Sequence, residues 1–217
     1  MKSPRSSLDK PQKHRSSTEA QRDFSGIFSR EIEERLTESI RTKEQVLRSL
    51  VPTIEQAARL LIDALASGHK ILLFGNGGSA ADSQHIAAEL VGKLLVKRRA
   101  LPAIALTTDT SNLTALANDF GYETVFQRQI EALGQAGDVA IGLSTSGRSP
   151  NVLAAIRTAR KKGLKTIAFT GRDGGSLAKL VDLSITVPSD STQRIQESHI
   201  TIGHILCELI ESHFAGT

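Results

Sequence analysis

His85 and Glu89 stand four residues apart in the stretch GNGGSAADSQHIAAEL, residues 75–90. On a helix that spacing puts an imidazole and a carboxylate on one face, about one turn from each other. Ahead of them the apolar run Ile71, Leu72, Leu73 and Phe74 ends in Gly75 and the small-residue loop Asn76, Gly77, Gly78 and Ser79. The unit reads as strand, tight turn and helix. Such a unit aims loop amides and a positive helix N-terminus at one spot past the strand, where an anionic group can sit. The chemistry on offer is anion binding with two titratable side chains beside the anion.

A second loop of the same kind is Ser144-Thr145-Ser146-Gly147-Arg148-Ser149, between the apolar run Val139 to Leu143 and a helix starting at Pro150. One hydroxyl is enough to cap a helix. Four within six positions exceed that need, and hydroxyls with free amides can hold a phosphate without a P-loop lysine. No G-x-x-x-x-G-K-[ST] sequence occurs. Gly75, Gly77 and Ala80 formally fit the dinucleotide pattern G-x-G-x-x-G/A. The acid that pattern wants about 20 residues on is missing, since Asp109 follows Ala80 by about 29.

The third constellation is RIQESHITIGH, residues 194–204. Gln196 and His204 are eight residues apart, which on a helix is about 80° around the axis and about 12 Å along it. They share a small target only by reaching toward each other or by acting across a subunit boundary. The same helix carries the apolar row Ile195, Ile202, Leu206, Leu209 and Ile210, so polar groups on its inner surface need partners.

These three stretches need a scaffold, and the hydrophobic pattern supplies one. Strands are expected at 71–74, 103–106, 139–143, 166–169 and 183–187. Helical segments are expected at 113–133, at 150–162, near Leu177 and from about Thr192 to Phe214. Near-continuous apolar strands alternating with helices predict an α/β fold with a five-stranded parallel sheet, doubly wound and flavodoxin-like, with ligands at the carboxyl ends of the strands. Two helices precede the first strand. One is long and amphipathic, from Phe24 through Leu50, and the other runs from Val51-Pro52 to a glycine cap at Gly68. They are candidates for oligomer contacts or for packing on their own domain. Residues 1–22 form a basic, serine-rich tail expected to be disordered, and 23–217 a single domain that includes the N-terminal helices.

Composition narrows the function. The formal charge is +4, but Lys2, Arg5, Lys10, Lys13 and Arg15 against Asp9 and Glu19 put three of those charges in the first 20 residues. The rest is close to neutral, there is no Trp and one Tyr, and so no stacking platform for nucleic acid is expected. The single Cys207, in an apolar helical pattern, excludes an internal disulfide and suits a reducing compartment. Neither a signal h-region nor a membrane-length apolar run is present. A cytoplasmic protein with no membrane or nucleic-acid partner is expected.

Five segments, GNGGSAADSQHIAAEL, ALANDFGYETVFQRQIEALGQAGD, STSGRSPNV, AFTGRDGGSLAKLVD and RIQESHITIGHI, closely resemble in that order the bacterial phosphoheptose isomerases of the sugar-isomerase (SIS) superfamily. The resemblance covers roughly residues 25 to 213. It implies interconversion of D-sedoheptulose 7-phosphate and D-glycero-D-manno-heptose 7-phosphate, at the start of heptose synthesis for cell-surface polysaccharide. By motif position it implies substrate contacts at Asn76, Gly77, Gly78, Glu89, Asn118, Asp119, Ser144, Thr145, Ser146, Ser149 and Gln196. It also implies one Zn2+ per subunit held by His85, Glu89, Gln196 and His204, and homotetramers whose active sites are assembled at subunit interfaces. Two positions depart from the pattern: Gln193, where some relatives carry an acid, and Arg148, whose place is often small or polar.

The chemistry suits these residue types. Moving a carbonyl from C2 to C1 requires taking a proton from one carbon, stabilising an enediolate and returning a proton to its neighbour. Glu89 is the expected base and His204 the expected acid. Two alternatives stand beside this reading. A SIS-fold relative that binds the replication initiator without isomerase chemistry should lack this base and acid, which are both present. An isomerase for another sugar phosphate remains open, because two anion cradles specify phosphate more firmly than carbon number.

Overall fold

A computed structural model describes residues 17–215, with side chains from Gly26 onward. Packing divides the chain into two units, Met1–Glu38 and Ser39–Thr217. The described part of the first is the beginning of helix α1 (Ser17–Ser49). Its surface is laced by Arg30–Glu34 and Arg35–Glu31 pairs four residues apart, at 3.2 and 3.8 Å. The helix starts at Ser17, ahead of the expected Phe24, since Thr18 to Arg22 contain neither glycine nor proline to stop it. Residues 1–16 of the expected tail lie outside the described residues.

The second unit holds α2 (Val51–Ala66), which has Pro52 in its first turn, where a missing N–H is harmless. There follow β1 (Ile71–Gly75), α3 (Gly78–Val91), β2 (Ala103–Ala105), α4 (Thr110–Phe120), a 3-10 turn at Tyr122–Thr124 and α5 (Val125–Leu133). Next come β3 (Val139–Ser144), α6 (Pro150–Lys161), β4 (Lys165–Gly171), the single-turn α7 (Gly175–Ala178), β5 (Leu183–Val187) and α8 (Thr192–Phe214). The five strands are parallel throughout, in the order β2-β1-β3-β4-β5. The apolar runs thus form the doubly wound sheet expected of them. The helical segments expected across 113–133 are α4 and α5, which part at Gly121, whose φ of 87° ends α4.

Side chains alternate across the sheet. Ile71, Leu73, Val139, Ile141 and Leu143 pack with Ile54 and Leu61 of α2, Leu90 of α3, and Ile202 and Leu206 of α8. Leu72, Phe74 and Ala140 point the other way, to Phe126 and Ile130 of α5 and Val152 and Ile156 of α6. Each such side chain removed from water contributes roughly 1.5–3 kcal/mol, and no residue of β1 or β3 is exposed. Cys207 lies in this core, where burial, with Glu89 next among the causes, pushes its thiol up to about 12, so it is unreactive. Among the described residues no helix is long and apolar enough to cross a membrane.

Candidate active site

The strand order changes direction between β1 and β3, where loops of an open α/β sheet diverge and leave a crevice. Gly75 brings the two loops together. A Cβ there would lie 2.8 Å from the Ser79 Cβ and 2.9 Å from the Leu143 carbonyl oxygen, an approach only glycine permits. Asn76 then bridges the loops. Its Nδ2 donates to Asn151 Oδ1 at 2.9 Å, and Asn151 Nδ2 donates back to Asn76 Oδ1 at 2.8 Å. The Tyr122 hydroxyl donates to the same Asn76 oxygen at 3.2 Å. Asn151 also accepts from the Val152 amide, which fastens the first loop to the start of α6.

In the second loop Ser149 is the N-cap of α6, yet its side chain makes no capping hydrogen bond. Its Oγ lies instead 2.9 Å from Ser144 Oγ, so helix capping does not account for these hydroxyls. Thr145 and Ser146 beside them are half-buried. Gly147 sets the shape of the loop: its φ is 63°, and a Cβ there would overlap the Gly174 carbonyl. From behind, the Leu177 amide donates to the Gly147 carbonyl at 3.0 Å. Arg148 spans the outside, donating to the Ser146 carbonyl at 3.1 Å and to Asp173 at 2.6 Å. That pair is exposed, so it contributes shape more than stability.

His85 and Glu89 project from α3 and His204 from α8. His85 Nε2 lies 3.3 Å from Glu89 Oε1 and 3.1 Å from His204 Nε2. The two imidazoles meet edge to face with centroids 4.9 Å apart, and ligating atoms of all three side chains lie within 4.8 Å of one another. Two imidazole nitrogens this close share a proton, one ring donating to the lone pair of the other, or have a cation between them. Tetrahedral zinc with bonds of about 2.1 Å places its donors about 3.4 Å apart, and imidazole with carboxylate is an ordinary zinc donor set. The group fits the metal.

Asp82 was not singled out in the sequence. It precedes His85 by three residues and Glu89 by seven, and so lies on their face of α3. Its Oδ2 is buried without a hydrogen-bond partner. Burial pushes its pKa up to about 6, against the opposing pull of His85 and His204. An orphan carboxylate oxygen beside two imidazoles is what a cation or polar ligand site leaves open. The signal that could have found it is the spacing D-x-x-H-x-x-x-E. Tyr122 and Asn151 carried no comparable signal.

Of the remaining expected residues, Gln196 in the first turns of α8 lies against the first loop: a Cβ on Gly78 would be 2.6 Å from its Nε2. Gly77 is the N-cap of α3, with φ 55°. Asn118 and Asp119 are exposed on α4, which buries no residue, and bond to each other, Nδ2 to Oδ1, at 2.8 Å.

Residues 36–171 match the family model of the SIS domain. The phosphoheptose isomerase of Geotalea daltonii is 54% identical over 186 residues, 86% of this chain and 97% of that protein. That of Aquifex aeolicus is 58% identical over 174 residues, 80% and 91% of the two chains. Among solved structures, the phosphoheptose isomerase of Neisseria gonorrhoeae superposes with a TM-score of 0.82 at 46% identity, covering 85% of this chain and 99% of its own.

Proposed function

The chain belongs to the SIS-domain family and, within it, to the phosphoheptose isomerases, and is a sugar-phosphate isomerase; from that we propose that it interconverts D-sedoheptulose 7-phosphate and D-glycero-D-manno-heptose 7-phosphate. The observation that carries this reading is the meeting of Glu89 and His85, on the helix that starts in the crevice, with His204 of α8. His85 is seven residues beyond Gly78, about 10 Å along α3. That separation between an anion at the loops and the near edge of the His–Glu–His group suits an extended seven-carbon chain better than a triose.

In this reading the hydroxyls of Ser144, Thr145, Ser146 and Ser149 and the backbone of Asn76, Gly77 and Gly78 bind the phosphate. Gln196, Asn118 and Asp119 contact the sugar. The Glu89 carboxylate removes a proton from C1. The C–H electron pair becomes the C1–C2 double bond, and O2 takes a proton from His204. His204 then removes the proton of O1, the aldehyde forms at C1, and C2 receives the proton that Glu89 holds. Nothing is gained or lost overall. His85, Glu89, Gln196 and His204 would hold one Zn2+ per subunit, which when bound supplies a fixed positive charge for the carbonyl and enediol oxygens. Because a carboxylate that binds zinc tightly is a weaker base, we assign the metal chiefly a positioning role.

The same reading makes the enzyme a cytoplasmic homotetramer acting at the start of heptose synthesis for surface polysaccharide. Exposed apolar residues support subunit contacts: Ile27, Phe28, Ile32 and Leu36 in the first unit, and Ile40 and Leu47 in the second, are each more than half exposed. Neighbouring subunits then complete the site around Asn118 and Asp119. The test is NMR of purified protein with D-sedoheptulose 7-phosphate, in which aldose resonances are expected. Turnover of a different sugar phosphate instead would move the assignment to another isomerase, and no turnover of any would end it.

A further inference from the structure

The helices that carry Glu89 and His204 are tied together a second time, away from the site. Glu211, buried near the end of α8, turns its carboxylate to the segment that follows α3. Its Oε1 accepts from the Leu94 amide at 2.9 Å, and its Oε2 from the amides of Leu95 at 2.6 Å and Val96 at 3.1 Å. The Nε of Arg98 lies 3.7 Å from Glu211 Oε1, and the two side chains are 1% and 2% exposed. Burial works against the charge on Glu211, but the amides of Leu95, Leu94 and Val96, and then Arg98, outweigh it and hold its pKa below the usual range. The guanidinium reaches back to α3. Nη2 donates to the carbonyl of Glu89 at 2.7 Å, and Nη1 to those of Gly92 at 3.1 Å and Arg99 at 2.9 Å. From α8 the path thus runs through three amide hydrogen bonds to residues 94–96 and a 3.7 Å ion pair, in which Arg98 Nε makes no hydrogen bond, to the main chain of the base itself.

A buried ion pair is a poor stabiliser compared with well-packed apolar side chains. What such a pair does well is fix geometry, and here the geometry is that of the site. Glu211 follows His204 by seven residues, about 20° around the helix axis, so both stand on the same side of α8. Glu89 lies in the last turn of α3, where backbone carbonyls lack intrahelical partners and the helix is free to fray unless something holds it. Arg98 holds that turn, and Glu211 holds Arg98.

We propose that Glu211 and Arg98 are positioning residues for the isomerisation: they lock the last turn of α3 to α8 so that Glu89 and His85 stay within reach of His204. The proposal rests on the reaction assigned above, with Glu89 as base. Its test compares Glu211→Gln, Arg98→Met and the milder Arg98→Lys with Asp138→Asn. Asp138 is also buried and paired, with Lys70 at 2.6 Å, but it stands just ahead of β3, on neither α3 nor α8. Kinetics, zinc affinity by competition with a chromophoric chelator, and thermal midpoint are measured on each full-length protein at a temperature where all are folded. Glu211→Gln and Arg98→Met are expected to lower kcat about tenfold or more, with KM within about threefold, and to weaken zinc binding by a similar factor. Asp138→Asn is expected to lose a comparable thermal midpoint with kcat and zinc affinity unchanged. Arg98→Lys, which keeps the charge but has one donor nitrogen in place of the fork, should fall between and carries the test if Glu211→Gln does not fold. Wild-type kcat and zinc affinity in the Arg98 variants, or an equal loss in Asp138→Asn, overturns the proposal. Should the wild-type enzyme fail to turn over the heptulose, the reaction assignment fails by itself, and zinc affinity still decides whether the clamp shapes the site.

Discussion

The Nε2 atoms of His85 and His204 lie 3.1 Å apart although 119 residues separate them in the chain. A contact of that length between two imidazoles demands a proton or a cation between them. Helices α3 and α8 must therefore be docked closely enough to keep two ring nitrogens in register. The rest of the site inherits its geometry from that docking.

Replacing Glu89 by Gln, or His204 by Gln, keeps the shape and removes the proton-transfer group. Each is expected to lower kcat by about 10³ or more, toward the upper range for general acid–base groups, with circular dichroism and oligomeric size unchanged. Heptulose turnover followed by NMR is the measurement, and retention of a tenth of the wild-type rate by either variant would contradict its assigned role.

Zinc is expected at about one equivalent per chain in elemental analysis of gently purified protein, and His85→Ala should lose most of it because one donor of the His–Glu–His group is gone. Chelation should reduce turnover. A preparation free of zinc and fully active in chelator would remove the metal from the scheme.

Gly147→Ala should damage phosphate binding in particular. The position combines φ 63° with a carbonyl where the new Cβ would stand. A strained backbone of this kind costs about 1–3 kcal/mol, and it can relax only by moving the Ser144–Ser149 loop. The expected result is a KM at least tenfold higher for the sugar phosphate with a smaller change in kcat. An unchanged KM would show that this loop does not hold the phosphate.

His199 predicts a pH dependence of stability. It is fully buried, its Nε2 lies 2.9 Å from the Thr170 carbonyl, and burial pushes its pKa down to about 4 against the opposing effect of that bond. The unfolded chain protonates this ring below about 6.5. Between 6.5 and 4 the unfolded state therefore binds more protons, so the stability contributed is complete above 6.5, declines as pH falls and levels off below 4. The full loss is about 3 kcal/mol. Urea midpoints at pH 7 and pH 5 should differ less in His199→Phe than in the wild type; equal differences would refute this account.

The sheet was legible because burial on both faces makes its strands continuous apolar runs, as in Ile71 to Phe74, and because punctuation by Gly68 and Pro150 is local chemistry. His85 and Glu89 were legible for the same reason: four residues on a helix is a geometric statement by itself. The partnership with His204 is a tertiary fact with no trace in local spacing, and only the family resemblance joined the two stretches beforehand. Asn76 and Asn151 look like ordinary loop and cap residues until β1 and β3 are neighbours. Glu211 is the clearest case. In ELIESH it reads as one of several solvated acids on an amphipathic helix, and nothing nearby in sequence shows that three amides and a guanidinium await it inside.

The helix α8 contributes Gln196, His204 and Glu211, yet it follows all five strands and both loops in chain order. Synthesis from the N-terminus thus supplies both loops, His85 and Glu89 before His204 and Glu211. Until Thr192–Phe214 is made, the sheet face covered by Ile195, Ile202, Leu206 and Ile210 is without its last helix. The last helix to be made therefore both closes that core and brings His204 to His85.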